Sequence, residues 1–152
     1  MSLIIPEQYT IIVDLVIKHK GCVFGGAVRD FLVGVIPNDI DVSIPDTQVQ
    51  SFYDALTSLG FEPTFNNKFS KNGVIVDVSE LPEDSELSVE INVTPDFDVN
   101  TLAWNGATLF NYWNPNYDIS TILAHIDSKE AHNISANEIR ISKMRNKGWL
   151  II

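Results

Sequence analysis

The chain is poor in cysteine, with a single one, Cys22, among its 152 residues. One cysteine cannot form a disulfide within the chain, which excludes the disulfide-stapled class of small secreted domains. This usage fits a reducing compartment, and we expect a cytoplasmic protein. Cys22 precedes the apolar pair Val23 and Phe24, so we predict a small buried residue rather than a nucleophile.

Long hydrophobic runs are also missing. No segment approaches the roughly 20 consecutive apolar residues of a membrane span, and the start, MSLIIPEQY, lacks the basic region of a signal peptide. We therefore expect neither a membrane anchor nor secretion. The apolar content of 45% is nevertheless enough for a buried core, and the length suits one domain over residues 1–152.

Positive charge is scarce. The chain has 20 acidic and 10 basic residues, for a net charge of −10. Four basic residues and no acidic residue occur after residue 139, so residues 1–139 carry a net charge of −14. Proteins that follow a phosphate backbone need cations spread along a face. The composition therefore argues against long RNA as a substrate, and it leaves one basic segment: Arg140, Lys143, Arg145 and Lys147.

Hydrophobic spacing and turn residues predict the local structure. Helices are expected over about residues 6–20, 27–33 and 46–59, and before Gly148. Asp46 is the expected N-cap of the third helix, and Ser135 with Glu138 forms a capping box for the last. The expected strands are residues 23–24, 39–44, 61–65, 74–78 and 87–93, with turns at Asn72–Gly73 and Asn105–Gly106.

The most informative stretch is residues 21–44, GCVFGGAVRDFLVGVIPNDIDVSI. A short apolar strand ends at Gly25 and Gly26, and a helix begins directly after them. Such a junction leaves backbone N–H groups unpaired beside the positive end of the helix dipole, which favours binding of a phosphate. A tight strand-to-helix turn is the structural alternative, and it is compatible with phosphate binding.

Asp39 and Asp41 follow on the next predicted strand. Residues two apart on a strand point to the same face, so the two carboxylates can share a divalent cation. Apolar and polar residues alternate along this strand, which also fits a half-exposed strand without a metal. The phosphate-binding junction just upstream favours the metal site, because two-metal phosphoryl transfer needs clustered carboxylates.

Two blocks of the sequence resemble one known group, the DNA-polymerase-β-like nucleotidyltransferases. The resemblance is greatest to the head domain of the tRNA CCA-adding enzyme and bacterial poly(A) polymerase (class II) family, which carries a GG-x-VRD helix, a D-x-D strand and an RDFT-[IV]-NAL-A-[YW]-N motif. The last motif corresponds to residues 96–105, DFDVNTLAWN, with Asp98 in place of Thr and Thr101 in place of Ala. The matches in the first block are Gly25, Gly26, Val28, Arg29, Asp30, Asp39 and Asp41.

The resemblance implies a fold of class α+β, with a mixed β-sheet flanked by helices, motifs within residues 21–113 and a short extension over residues 114–152. It also implies Mg²⁺ or Mn²⁺ held by Asp39 and Asp41. The implied reaction transfers a nucleoside monophosphate from a nucleoside triphosphate to an acceptor hydroxyl and releases pyrophosphate. The acceptor class stays open between an RNA 3′ end, a small molecule and a protein side chain.

The family uses a third catalytic carboxylate, on a neighbouring strand. We choose Asp77, because a charge within an apolar strand must be paired or metal-bound if it is buried. Asp77 also follows the predicted hairpin turn, as the corresponding residue does in the family. Glu90, in the next predicted strand, is the competing candidate. A solvent-facing position is the alternative for Asp77.

The resemblance also assigns six residues to the nucleotide pocket. For Arg29 and Asp30, an internal ion pair that fixes the helix on the sheet is an equal alternative. For Asn100, the alternative is a turn cap. The six residues are Gly25, Gly26, Arg29, Asp30, Asp96 and Asn100.

The chain departs from the family in two respects. Thr94 and Pro95 stand where the family has two arginines. The negative charge of a triphosphate would therefore be neutralised by the metal, by backbone N–H groups and by Arg29 or a lysine. A neck, body and tail like those of CCA-adding enzymes are not found, so templated addition of C and A is not expected. These departures favour an alternative hypothesis, a catalytically inactive nucleotide-binding or regulatory module, whereas the three carboxylates favour an enzyme.

Two further groups of candidate functional residues lie near the C-terminus. Arg140, Lys143 and Lys147 have helical spacing, which suits contact with a phosphate or an acceptor. An ordinary solvated helix with positive charges near its C-terminus is the alternative. His125 and His132 lie seven residues apart, without the spacing of a metal site, and we interpret them as surface or helix-packing residues.

Overall fold

The computed structural model of the protein describes residues 2–83, 85, 89 and 94–152. Within this part of the chain, five α-helices pack against a mixed β-sheet of seven strands. The helices are α1 (Glu7–Lys18), α2 (Gly26–Val33), α3 (Asp46–Ser58), α4 (Ile119–Ser128) and α5 (Glu138–Asn146). The strands of the main sheet are β1 (Cys22–Phe24), β2 (Ile40–Pro45), β3 (Glu62–Pro63), β4 (Lys68–Lys71), β5 (Val74–Leu81), β6 (Leu102–Trp104) and β7 (Leu109–Asn111).

The strand order in the sheet is β3-β4-β5-β2-β1-β6-β7. Only the central pair of β2 and β5 is parallel among these strands, and the connection between the two carries α3, β3 and β4. A second, small sheet pairs β8 (Glu130–Ala131) with β9 (Leu150–Ile151) in parallel. A 3₁₀ helix, Asp98–Asn100, precedes β6. The predicted α+β class and mixed sheet are therefore confirmed.

The core lies between the sheet and the helices. In β2, the apolar residues Ile40, Val42 and Ile44 are fully buried. Because side chains alternate along a strand, this burial turns the intervening residues of β2 to the other face. Large side chains of the helices fill the rest of the core, among them Tyr9, Ile12, Phe31, Phe52, Leu56, Ile122 and Ile126. Cys22 is buried, as predicted.

The predicted hairpin at Asn72–Gly73 is confirmed. Asn72 and Gly73 have φ angles of 51° and 81°, which is the left-handed conformation that a two-residue hairpin turn requires. β4 and β5 pair across this turn, with Lys71 opposite Val74. The predicted strand over residues 61–65 is shorter, Glu62–Pro63. The predicted strand over residues 87–93 lies outside the described residues, apart from the buried Val89.

Both predicted side-chain caps are wrong. Asp46 is the first residue of α3, and Pro45 occupies the N-cap position without a side-chain bond. Asn137, not Ser135, caps α5 by accepting a 3.0 Å hydrogen bond from the amide of Arg140. The hydroxyl of Ser135 donates instead to the carbonyls of the segment at residues 94–95. The local sequence does not predict this hydrogen bond of Ser135, because the carbonyls that accept it lie about 40 residues away in the chain.

None of the helices in the described ranges has both the length and the apolar character needed to cross a membrane.

Candidate active site

A cavity of about 440 Å³ opens where β1, β2 and β5 meet the start of α2 and one side of α5. Carboxylates from the sheet line one part of the cavity, and basic side chains from α2 and α5 line another. All nine residues that the sequence assigned to metal or nucleotide binding line it: Gly25, Gly26, Arg29, Asp30, Asp39, Asp41, Asp77, Asp96 and Asn100. Glu90, the competing candidate for the third carboxylate, lies outside the described residues.

Asp41 and Asp77 are directly opposite each other on the parallel strands β2 and β5. Asp39 lies one residue before β2 and lines the same cavity. The neighbours of Asp77, Val76 and Val78, are buried in the core, so Asp77 turns to the opposite face with Asp41. That face borders the cavity, which explains why a charged residue is tolerated within an apolar strand.

Burial and repulsion from neighbouring carboxylates disfavour the charged forms of Asp41 and Asp77. Burial and the charges of Asp39 and Asp77 raise the pKa of Asp41 to about 7. Burial also raises the pKa of Asp77, although Lys68, whose Nζ lies 4.0 Å from Asp77 Oδ2, acts in the opposite direction. A hydrogen bond between the Asp41 and Asp77 carboxyls further lowers the pKa of Asp77. Such a bond needs a proton, and Asp41 is the group that retains one at near-neutral pH.

The raised pKa of Asp41 predicts a pH-dependent stability in the absence of metal. A carboxyl whose pKa is higher in the folded state holds its proton more tightly there. The free energy of unfolding therefore falls as pH rises from the unfolded value of 3.8 to about 7. With allowance for partial solvent screening, we expect a loss of about 1–3 kcal/mol for Asp41.

Urea unfolding in a chelator at pH 5 and pH 7.5 measures this loss. The Asp41→Asn variant should show a smaller decrease between the two pH values than the wild type. Asp14→Asn, which removes an exposed carboxylate from α1, should behave like the wild type. Equal decreases in all three proteins would contradict the assignment of a raised pKa to Asp41.

The glycine pair shapes the turn from β1 into α2. Gly25 has φ 78° and ψ −145°, a conformation that is essentially restricted to glycine. A Cβ atom at Gly25 would lie 3.6 Å from Asp41 Oδ2, so the turn runs directly beside the carboxylates. The Gly25 amide donates to the Leu102 carbonyl. The N–H groups left for an anion at the start of α2 are therefore those of Gly26 and Ala27.

Arg29 is buried, with 4% of its surface exposed, and its guanidinium contacts several separate segments of the chain. Its Nε and Nη2 each lie 2.9 Å from Asp30 Oδ1, which confirms the internal ion pair that the sequence offered as an alternative. Its Nη1 donates to Asn100 Oδ1 at 2.6 Å and contacts Met144 Sδ at 3.5 Å. The guanidinium also lies 5.6 Å from the centre of the Trp149 ring. Arg29 thus joins α2 to the 3₁₀ helix, α5 and the C-terminal segment.

Asp96 and Asn100 are held by bonds within the protein. Asp96 Oδ1 accepts from the Phe97 amide and from Asn100 Nδ2, and Asp96 Oδ2 accepts from Arg140 Nε and Nη2 at 2.9 and 2.8 Å. Although burial opposes it, these bonds from Asn100, Arg140 and Phe97 hold the pKa of Asp96 below its usual value. The two side chains border the cavity and at the same time fix α5 to the rest of the molecule.

Sequence reasoning missed two residues of the site. Lys68 pairs with Asp77 across the β4–β5 hairpin. The predicted two-residue turn at Asn72–Gly73 sets this strand register, so the pair could have been predicted from the sequence. Tyr112 lines the cavity, donates a hydrogen bond to the Asn100 carbonyl at 3.0 Å and packs its ring 5.4 Å from that of Phe24. No sequence signal pointed to Tyr112, because its neighbours come from distant segments.

The two histidines form a separate cluster away from the cavity lining. Their rings stack with centres 4.1 Å apart and planes 9° apart, and potential ligand atoms of His125, Glu130 and His132 lie within 4.8 Å of one another. His125 Nδ1 is also 2.7 Å from Asp98 Oδ2. Parallel rings direct their nitrogen lone pairs side by side rather than towards one ion. We therefore assign the cluster to packing of α4 against β8, in line with the sequence interpretation.

Solved structures share this arrangement of elements. A CCA-adding enzyme in complex with ATP matches with a TM-score of 0.60 and 14% sequence identity, over 97% of this chain and 41% of that one. The Thermotoga maritima CCA-adding enzyme complexed with tRNA matches with a TM-score of 0.58 and 15% identity, over 97% and 40%. The chain has a nucleotidyltransferase fold.

A third match of the same kind is a tRNA nucleotidyltransferase complexed with a primer tRNA and an incoming ATP analogue. Its TM-score is 0.56 at 15% identity, over 87% of this chain and 43% of that one. No protein-family model and no curated protein sequence matches the chain. The chain spans about two fifths of the length of these nucleotidyltransferases. At this identity the similarity establishes the fold, and the chemistry is argued from the site.

Proposed function

We propose that this chain is a divalent-metal-dependent nucleotidyltransferase, which transfers a nucleoside monophosphate from a nucleoside triphosphate to an acceptor hydroxyl and releases pyrophosphate. One observation carries the proposal. Asp41 and Asp77 lie opposite each other on parallel strands, with Asp39 beside them and the glycine turn close to Asp41. The nucleotidyltransferase fold supports the same reaction class.

The carboxylates suit Mg²⁺ or Mn²⁺. Asp39, Asp41 and Asp77 offer only oxygen ligands, which hard divalent cations prefer. Burial and the neighbouring carboxylates Asp39 and Asp77 raise the pKa of Asp41, and a bound cation would favour its charged form. When bound, the metal would neutralise phosphate charge and make the acceptor hydroxyl more acidic.

The protein groups around the carboxylates then have distinct roles. The amides of Gly26 and Ala27, with the dipole of α2, are placed to bind a phosphate beside Asp41. Asp77 has a raised pKa and stands on the neighbouring strand, so it is our candidate for accepting the proton of the attacking hydroxyl. Arg29 acts indirectly, since its contacts hold α2 and Asn100 in place.

The ligands of the matching structures and the charge of this chain bear on the identity of the donor and the acceptor. The ATP and ATP-analogue complexes among the matching structures favour a nucleoside triphosphate as donor. The tRNA complexes favour an RNA acceptor, whereas the net charge of −14 over residues 1–139 disfavours a long one. We propose an acceptor that brings a single hydroxyl to the cavity: a short RNA 3′ end, a small molecule or a protein side chain.

A turnover assay tests the proposal. Purified protein is incubated with each of the four α-labelled nucleoside triphosphates and Mg²⁺, together with RNA, small-molecule and protein acceptors. We expect release of pyrophosphate and transfer of label, both abolished by a chelator. Nucleotide binding without turnover across the whole acceptor panel would instead support an inactive nucleotide-binding or regulatory module.

A further inference from the structure

Helix α5 and Lys147, the residue that follows it, place a row of basic side chains along the cavity that contains the carboxylates. Arg140, Lys143 and Lys147 follow one another at helical spacing, and all three line the cavity. Met144, on the same helix, is buried and contacts Arg29. The helix is therefore packed against the rest of the molecule, with Arg140 and Lys143 on the side that lines the cavity.

The three basic residues differ in how far they are already neutralised. Arg140 forms a two-nitrogen contact with Asp96 at 2.8 and 2.9 Å. Lys143 and Lys147 form no salt bridge and no side-chain hydrogen bond with any residue that the structure describes. Arg140 thus anchors the helix, and the two lysines keep their charge available.

The surroundings of Lys147 are themselves positive. Burial comes first among the causes that lower the pKa of Lys147, followed by the charge of Arg29, with Lys143 and Arg140 adding to it. Asp30 opposes this shift. An anion that entered the cavity here would relieve repulsion among cations as well as gain attraction.

The cavity thus combines two features that few ligands satisfy together. Its carboxylates favour binding of a divalent cation. Its lysines favour binding of a group with several negative charges in the same cavity of about 440 Å³. A polyphosphate chain carrying a metal ion meets both requirements. A long RNA strand does not, because residues 1–139 carry a net charge of −14 and would repel its phosphate backbone.

We propose that Lys143 and Lys147 bind the phosphate chain beyond the α-phosphate and make the triphosphate the main determinant of nucleotide affinity. The proposal rests on the proposed nucleotidyltransferase function. It also accounts for Thr94 and Pro95 at the positions where the resembled family has two arginines, since α5 supplies cations from a different segment. Arg140 is a positioning residue in this scheme, because its bond to Asp96 holds α5 at the cavity.

Calorimetric titration in Mg²⁺ with a non-hydrolysable α,β-methylene analogue of ATP tests the proposal without requiring turnover. We expect Lys143→Gln and Lys147→Gln each to weaken binding about 5- to 20-fold, as for the loss of one charged hydrogen bond at a partly exposed site. Binding of AMP should change less than about 2-fold, since AMP lacks the β- and γ-phosphates. Lys143→Arg should retain most of the affinity, because it keeps the charge.

Arg145→Gln is the matched control, since Arg145 is exposed on the same helix but does not line the cavity. It removes the same charge and should leave affinity for the analogue within about 2-fold of the wild type. Equal losses for all three glutamine variants, or equal losses for AMP and the analogue, would overturn the proposal.

The failure of this inference is distinguishable from failure of the proposed function. Active protein whose affinity for the analogue is unchanged in both lysine variants would refute only the role of α5. Lysine-dependent binding of the analogue by a protein that never releases pyrophosphate would refute only the enzyme, and would support a polyphosphate-binding site on α5.

Discussion

Asp41→Asn is expected to reduce nucleotidyl transfer by at least about 10³-fold, equivalent to ~4 kcal/mol of transition-state stabilisation. Asp41 occupies the centre of the carboxylate cluster, opposite Asp77 and beside the glycine turn. An amide keeps the shape of the side chain but loses the charge that holds a divalent cation. The loss should appear in kcat, measured as pyrophosphate release at saturating nucleotide and Mg²⁺.

The same substitution should raise the stability of the metal-free protein at pH 7.5. The charge of Asp41 is unfavourable in the folded state without a cation, as its raised pKa shows. Opposite effects on activity and on stability distinguish a metal-binding residue from a structural one, because loss of a structural residue lowers both. An Asp41→Asn protein that is less stable than the wild type and still active would contradict this assignment.

Arg29→Met is expected to lower the free energy of unfolding by about 3–5 kcal/mol, as when one partner of a buried ion pair is removed. Asp30, with 8% of its surface exposed, would be left without its cation. Asn100 Oδ1 would lose its 2.6 Å hydrogen bond, and the contacts to Met144 and Trp149 would weaken. Chemical denaturation at pH 7.5 in a chelator measures the change.

The double variant Arg29→Met with Asp30→Asn serves as the control for the ion pair. Removing the orphaned carboxylate should recover part of the lost stability, because a neutral amide costs less to bury than an unpaired charge. Identical losses in the single and double variants would mean that packing, rather than charge pairing, accounts for the effect of Arg29.

The sequence predicted the parts of the site that local patterns determine. Alternation along the predicted strand over residues 39–44 indicated that Asp39 and Asp41 share a face, and both line the cavity. The turn at Asn72–Gly73 indicated a hairpin that contains the strand of Asp77. The junction at Gly25 and Gly26 predicted the start of α2. In each case the spacing of a few residues fixes the outcome, so distant parts of the chain are not needed.

The rest of the site depends on contacts between distant segments. Arg140 pairs with Asp96, 44 residues away, and Arg29 bonds to Asn100, 71 residues away. No local pattern identifies such partners, because the tertiary fold decides which polar groups meet. For the same reason the local sequence favours Ser135 as the cap of α5, whereas in the structure its hydroxyl donates to the carbonyls of residues 94–95. The stacking of His125 on His132 likewise follows from the return of the chain at β8.

Anomalous diffraction from crystals grown with Mn²⁺ and the non-hydrolysable ATP analogue would test the account most directly. We predict Mn²⁺ bound by the carboxylate oxygens of residues 39, 41 and 77, with the phosphate chain reaching from the amide of residue 26 towards α5. Manganese bound elsewhere, with those three side chains free of metal while the nucleotide occupies the cavity, would contradict it.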